Sequence, residues 1–154
     1  MTQVLTPRDP EFARKVRDSF DRQPVMHFIG ATMTRIEPGH VEIELPYRRE
    51  LTQQHGFFHG GIASAIADSA GGYAAFSLMP ANSSVLTVEY KINLIAPADG
   101  ELLRAIGQVV KSGRTLTVCE LKVMVMKAGV ESLCAVGMQT MMCLADQLDH
   151  PRSG

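Results

Sequence analysis

The sequence has little net charge, no long apolar run and few cysteines, and each shortage excludes a class of protein. Its 154 residues carry 15 basic and 16 acidic side chains, a formal net charge of −1. This balance offers no broad basic surface for nucleic acid or an anionic membrane. No run approaches the roughly 20 apolar residues of a membrane-spanning helix, and residues 1–16 contain no apolar signal core. We therefore expect a soluble cytoplasmic protein that binds neither nucleic acid nor membrane.

The three cysteines are Cys119, Cys134 and Cys143, an odd number whose spacing matches no metal motif. We interpret Cys119 and Cys134, which lie in apolar strand-like runs, as small buried residues without a disulfide, in keeping with a reducing cytoplasm. His55 and His59 lie four residues apart in a predicted loop, and no third ligand accompanies them. The sequence therefore predicts neither a metal site nor a cofactor.

The chain has enough apolar sequence for one folded domain, because 45% of its residues are hydrophobic. We assign residues 1–154 to a single domain, with a helical segment over residues 1–24 and a polar tail over residues 145–154. Within the first segment, residues 9–22 predict a helix with Asp9 as its N-cap.

Strands are predicted on both sides of one long helix. Residues 25–36 and 40–47 predict two strands, and the second alternates apolar and polar residues. Residues 61–78 predict the long helix. Four further strands are predicted over residues 83–96, 101–111, 114–126 and 132–144. One helix against an antiparallel sheet of about six strands is an α+β arrangement.

The long helix is apolar nearly all round, so it must be covered on every side. A single sheet covers only one of its sides. We therefore expect a partner subunit to cover the remainder, which makes the protein an oligomer.

Asp68 is the exception in this apolar helix. A carboxylate is unfavourable in a helix interior and costly to bury without a partner, and no lysine or arginine occurs between Arg49 and Lys91. Gly71 and Gly72 lie one turn further on and leave space that a ligand can occupy. The alternative is an ordinary helical aspartate that faces solvent or caps a neighbouring loop.

The start of the same helix carries a second chemical feature. His59, Gly60 and Gly61 place sterically open N–H groups at a helix N-terminus, where they can polarise a carbonyl or stabilise an oxyanion. Gly60 and Asp68 are separated by about 12 Å along the helix axis, so they cannot meet within one chain. They can meet when two antiparallel helices pack across a dimer axis.

The segment HGGIASAIADSAGGYAAFS at residues 59–77 resembles the PaaI-type acyl-CoA thioesterases of the hotdog fold, and VEYKINLIAPA at residues 88–98 resembles their third strand. The resemblance implies an antiparallel sheet of about six strands wrapped around one long central helix. It also implies a homodimer or a dimer-of-dimers tetramer, an active site at the dimer interface, and an acyl-CoA substrate.

The resemblance also assigns catalytic roles. Asp68 would activate water or attack the thioester, and the Gly60 N–H would stabilise the oxyanion. His59 would orient the loop or touch the thioester. Thr87 would supply a hydroxyl near the water. The family commonly places asparagine six residues before the histidine, where this chain has Gln53, and Gln54 is an alternative source of the amide.

We also assign a set of substrate-binding candidates. Phe57, Phe58 and the small residues at the helix start would line an acyl pocket, the alternative for the two phenylalanines being dimer packing. In the resembled family the hairpin at residues 111–114 often lies near the CoA phosphates, so Lys111 and Arg114 would bind them; the alternative is an ordinary basic turn. The full set is Gly61, Ser64, Phe57, Phe58, Lys111, Ser112, Gly113 and Arg114.

Two other functions fit the same fold. Because Gln53 replaces the common asparagine, the chain can be a non-catalytic module that binds acyl-CoA or another small ligand. A hotdog hydratase or dehydratase is the third hypothesis, although in those enzymes the histidine and the carboxylate are spaced differently. Turnover of a CoA thioester separates the first hypothesis from the second, and hydration without thiol release favours the third.

Overall fold

The computed structural model describes residues 4–150. It contains three α-helices, a six-stranded sheet and one short 3-10 turn at Arg49–Leu51. The helices are α1 (Phe12–Asp21), α2 (Pro24–Ile29) and α3 (Gly60–Phe76). The strands are β1 (Thr32–Glu37), β2 (His40–Pro46), β3 (Ser83–Leu94), β4 (Leu102–Ser112), β5 (Leu116–Lys127) and β6 (Val130–Ala145).

All strand pairs are antiparallel, and the spatial order is β1-β2-β4-β5-β6-β3. Strands β4, β5 and β6 are joined by short turns, whereas β3 pairs with β6 at the far edge. The long helix α3 packs on one face of this sheet. The predicted fold, an antiparallel six-stranded sheet around one long central helix, is confirmed.

The alternation in β2 shows how the sheet forms the core. Val41, Ile43 and Leu45 are fully buried, while the residues between them are partly exposed. On the adjacent strand, Gly107 allows the helix backbone to contact the sheet directly. A Cβ at this position would lie 2.3 Å from the carbonyl group of Ala70, which is closer than any real contact.

The predicted strand over residues 25–36 is wrong in its first half, because Pro24–Ile29 forms α2. Pro24 occupies the first helical position, where its fixed φ suits a helix. The helix ends at Gly30, whose φ of 83° is left-handed and whose N–H donates to the carbonyls of Met26 and His27. The apolar run predicts a strand, but Met26 and Ile29 lie three residues apart and are buried on one helical face.

The boundaries of α1 also differ from the prediction. The helix begins at Phe12, and Asp9 precedes it in a turn, where its Oδ1 accepts a hydrogen bond from the Glu11 N–H at 2.9 Å. Val16 and Phe20 are buried. The Phe20 ring packs edge-on against Tyr73 of α3, with 5.9 Å between ring centroids.

The contact between Phe20 and Tyr73 shows that α1, and not only the sheet, covers part of α3. Helix α1 lies over the C-terminal half of α3, and every residue from Ser69 to Phe76 is buried within one chain. The exposed and partly buried positions all belong to the N-terminal half and are Gly60, Gly61, Ile62, Ser64, Ala65 and Asp68. Within residues 4–150, only this half of α3 is therefore left for a partner to cover.

The two edges of the sheet differ in character. Strand β1 is short, whereas β3 has 12 residues and exposes apolar side chains along its length. Leu86, Val88, Tyr90 and Leu94 are each 44–58% exposed.

No helix within residues 4–150 is both long and apolar enough to cross a membrane.

Candidate active site

The carboxylate of Asp68 lies in the middle of α3, half-exposed, and is held from the sheet. Thr87 of β3 donates its hydroxyl to Asp68 Oδ1 at 2.7 Å. Gln139 of β6 donates from Nε2 to the same oxygen, and also to the backbone carbonyl of Asp68 at 3.1 Å. Asp68 and Thr87, which are predicted to share one site, are thus in direct contact. Gln139 is not among the predicted site residues.

A cavity of about 520 Å³ opens beside Asp68 and Thr87. It lies between α3, β3 and the junction of α1 with α2, and Gly72 and Tyr73 are part of its wall. The volume is typical of a site for a small organic ligand. At this cavity Arg22 pairs with Asp149 of the C-terminal segment, with 3.0 Å between Nη2 and Oδ2. The predicted polar tail thus contributes to the cavity as far as His150, and its residues 151–154 lie outside the described part of the chain.

The two glycines that follow Asp68 on α3, Gly71 and Gly72, lie in different surroundings. Gly72 lines the cavity, in agreement with the space expected there. Gly71 faces the sheet, where a Cβ would lie 2.0 Å from Oε1 of Gln139 and 2.5 Å from Cδ2 of Leu121. The space predicted for a ligand at Gly71 is therefore filled by protein side chains.

The N-terminus of α3 is capped by its own histidine. Nδ1 of His59 accepts a hydrogen bond from the Gly61 N–H at 2.9 Å, and the His59 carbonyl accepts from the N–H groups of Ile62 and Ala63. Among the residues described, no acceptor is found for the Gly60 N–H. The Gly61 N–H is therefore engaged by His59, whereas the Gly60 N–H has no acceptor within residues 4–150.

A second cavity, of about 480 Å³, lies at this end of the helix. Gln53, Phe57, Phe58 and Gly60 are in its wall together with Leu94 of β3. The amide oxygen of Gln53 accepts from the His55 N–H, so part of its hydrogen-bonding capacity is used within the loop.

Four of the five predicted catalytic residues are thus divided between two cavities, and His59 lines neither. Asp68 and Thr87 line the first, and Gln53 and Gly60 line the second. No residue is common to the two walls, and Gly60 and Asp68 are about 12 Å apart along one helix. A single protomer does not bring the carboxylate and the free N–H to one reacting carbon.

The other candidates lie outside both walls. The Ser64 hydroxyl donates to the Gly60 carbonyl at 2.8 Å and is therefore engaged with its own helix. Gln54 is exposed on the loop. Lys111, Ser112 and Arg114 are exposed on the β4–β5 hairpin, where the Gly113 carbonyl accepts from the Arg8 guanidinium at 3.1 Å. Arg8 adds a third cation that the sequence analysis did not associate with this hairpin.

The cysteines are free, and Cys119 and Cys134 are buried as predicted. Burial raises the pKa of Cys119 to about 12 and that of Cys134 to about 11. Both are therefore protonated at neutral pH, in a form that does not act as a nucleophile.

Comparison with known proteins places the chain in a family. The sequence model of the Thioesterase superfamily matches residues 55–130. A solved structure of a thioesterase family protein from Silicibacter pomeroyi is 51% identical, with a TM-score of 0.86, and the alignment covers 87% of this chain and 98% of that one. The chain belongs to the thioesterase superfamily. The prediction of a thioester hydrolase with a PaaI-type hotdog fold is confirmed at this level.

Two more distant proteins agree with this family. The 1,4-dihydroxy-2-naphthoyl-CoA hydrolase of Listeria monocytogenes is 24% identical over 95 residues, which are 62% of this chain and 77% of that protein. The PaaI protein of Escherichia coli, from the phenylacetic acid degradation operon, has a TM-score of 0.77 at 16% identity and covers 88% of this chain and 94% of its own. The PaaI structure shares the fold.

Proposed function

We propose that this thioesterase hydrolyses a small-to-medium or aromatic acyl-CoA to the free acid and CoA. The observation that carries the proposal is the Asp68 carboxylate, fixed at one oxygen and placed on the wall of a 520 Å³ cavity. A hydrolase needs a base or nucleophile beside a space for the acyl group, and this arrangement supplies both. The hydrolase from Listeria, which acts on an aromatic CoA thioester by name, supports the substrate class.

The chemistry follows from the groups available. Asp68 takes a proton from water, the water oxygen bonds to the thioester carbon, and the C–S bond breaks as CoA leaves with the proton. Alternatively Asp68 attacks the carbon itself and the C–S bond breaks as CoA leaves as its thiolate. Water then hydrolyses the mixed anhydride, which releases the free acid, regenerates the Asp68 carboxylate and supplies the proton for the CoA thiolate. In both routes the carbonyl oxygen becomes an oxyanion, which the Gly60 N–H stabilises at the positive end of the α3 dipole.

The proposal requires two copies of the chain, because Asp68 and Gly60 lie at different cavities of one protomer. Pairing of two β3 edges would cover the exposed Leu86, Val88 and Tyr90, and would bring the N-terminal half of one α3 towards that of the other. The active unit is then a homodimer with two sites, alone or within a dimer-of-dimers tetramer.

Binding of the CoA phosphates is assigned to the basic β4–β5 hairpin. Lys111 and Arg114 are exposed there, and Arg8 is tied to the Gly113 carbonyl beside them. Three cations in one place suit a phosphate group, which a guanidinium binds through two N–H groups.

The three free cysteines support the proposed cytoplasmic location.

The second candidate function is a non-catalytic module that binds acyl-CoA. It is favoured by Gln53, whose amide oxygen is engaged by the His55 N–H instead of facing a ligand. Such a module would bind CoA thioesters without turnover.

The test of the proposed function is release of free thiol from acetyl-, hexanoyl-, lauroyl-, benzoyl- and phenylacetyl-CoA, followed with a thiol-reactive dye. We expect turnover of at least one of these thioesters by the wild-type protein and its loss in Asp68→Asn. Binding of the thioesters without thiol release would overturn the proposal in favour of the binding module.

A further inference from the structure

We infer that Gln139 is a positioning residue for Asp68: together with Thr87 it holds Oδ1 of the carboxylate and leaves Oδ2 as the reacting oxygen. The inference rests on the proposed function for its kinetic consequences. The contact itself rests on the geometry of β6 against α3.

The surroundings of Gln139 show that its amide serves Asp68. The side chain is 1% exposed and lies opposite Cys119 on the face of the sheet that packs against α3. Glutamine is seldom buried to this extent, and a buried amide requires hydrogen-bond partners. Its Nε2 donates to the carbonyl and the carboxylate of Asp68, and Thr87 Oγ1, at 3.4 Å, is the other polar atom near it.

The orientation of the Gln139 amide follows from the groups that lie on either side of it. Oε1 faces Gly71 and has no hydrogen-bond partner among the described residues. Rotating the amide by 180° would place this oxygen against the Asp68 carboxylate, where two acceptors would repel each other. The amide is therefore fixed with its donors on Asp68, and it has room there because position 71 carries no side chain.

The contacts to the carboxylate are unequal. Thr87 and Gln139 both donate to Oδ1, and within residues 4–150 no donor is found for Oδ2. Two donors on one oxygen fix the rotation of the carboxylate about its last torsion. The free oxygen is then the one that can take a proton from water or attack the thioester carbon.

The first experiment compares Gln139→Met with wild type on the best CoA thioester. Methionine is similar in length and has no donor, so we expect kcat to fall about 10- to 100-fold, as for a misplaced catalytic group, with KM changed less than about 2-fold. Gln108→Met, the same substitution on the outer part of β4, is the matched control and should keep kcat within about 2-fold. A Gln139→Met protein with wild-type kcat would overturn the inference.

A double-mutant cycle separates positioning from a general effect on folding. Gly71→Ala should displace the Gln139 amide and lower kcat by a similar factor, since its Cβ would overlap Oε1. In a Gln139→Ala background the overlap with Oε1 is gone, and the shortened side chain leaves room for the end of Leu121, whose Cδ2 would lie 2.5 Å from the new Cβ, to shift. The same change should then lower kcat less than about 2-fold further. Additive losses in the cycle would contradict the inference.

An NMR measurement tests the contact without relying on turnover. The side-chain amide proton of Gln139 that is bonded to the carboxylate should resonate at an unusually low field, and Asp68→Asn should abolish this shift. If no CoA thioester is hydrolysed, the proposed function fails and the amide resonance still decides whether Gln139 holds Asp68. An ordinary amide resonance that is insensitive to Asp68→Asn would overturn the inference.

Discussion

The two halves of α3 are built from similar small residues, yet the chain treats them differently. From Ser69 to Phe76 every residue is buried against the sheet and α1. From Gly60 to Asp68 the helix is partly open, and it carries a free N–H at one end and a fixed carboxylate at the other. The two groups to which we assign the reaction, Asp68 and the Gly60 N–H, therefore both lie on the half that the described part of the chain leaves partly open.

The largest loss of activity is expected from a substitution of Asp68, the charged residue of the open half. Asp68→Asn removes the proposed base or nucleophile but retains the shape of the side chain, so kcat should fall at least about 100-fold while the protein remains folded and oligomeric. Thiol release measures the loss, and circular dichroism and light scattering measure fold and assembly. Asp18→Asn, an exposed change on α1, is the control. Near-wild-type kcat in Asp68→Asn would remove Asp68 from the mechanism.

A comparable loss is expected at the other end of the open half. Gly60→Pro deletes the N–H at the first helical position, where proline is favoured, and His59 already has the extended ψ of 136° that precedes proline. We expect kcat to fall about 100-fold or more, as for other lost oxyanion donors. Gly60→Ala is the matched control, because it brings the same Cβ near Leu94 but keeps the N–H. Equal activity of the two variants would show that the N–H has no role.

Substitutions in the buried half should lower the free energy of unfolding and leave kcat nearly unchanged. Phe76 is fully buried, and Phe76→Ala should lower the free energy of unfolding by about 3–5 kcal/mol. Urea unfolding measures this loss, and kcat per folded molecule should stay within about 2-fold of wild type. A large fall in kcat at unchanged stability would mean that the two halves are not separate in function.

Gly72 sharpens the comparison, because it is the point where the buried half borders the Asp68 cavity. A Cβ there would lie 3.4 Å from the flexible Met141 Cε, so Gly72→Ala should fold. It should lower kcat/KM for phenylacetyl-CoA about 10-fold relative to acetyl-CoA, the scale of one methyl group in a pocket. Parallel kinetics with the two thioesters measure the ratio, and an unchanged ratio would place the acyl group elsewhere.

The smallest effect concerns alkaline stability. The unfolded Cys119 thiol loses its proton near its ordinary pKa of 9.0, whereas the folded thiol keeps its proton up to about 12. The unfolded state therefore binds fewer protons above pH 9, and the free energy of unfolding should fall as pH rises through this range. Cys119→Ala should show a shallower fall between pH 9 and 10 in urea unfolding. An identical slope would contradict the assigned burial of the thiol.

The sequence was most informative where the signals were local. Alternation in β2 predicted its buried face, and the helical rise alone showed that Gly60 and Asp68 cannot meet in one chain. Helix α2 was missed because it has only six residues, too few to display a helical period. The cover that α1 gives to α3 was missed because a contact such as Phe20 with Tyr73 joins residues far apart in the chain.

Gln139 shows the same limit within the site. It is 71 residues from Asp68 along the chain, in an apolar strand, so nothing near either residue indicates that they pair. Gly71 was the available signal, since an unfavourable glycine inside a helix indicates close approach. The approaching group could not be identified from the helix alone.

The central claim is that one site takes Asp68 from one protomer and Gly60 from the other. The most direct measurement mixes Asp68→Asn with Gly60→Pro subunits after dissociation and reassembly, and follows thiol release. Each mixed dimer would contain one site with both groups intact, so random pairing should restore about a quarter of wild-type activity. Activity no higher than that of the separate variants, although mixed dimers have formed, would contradict the claim.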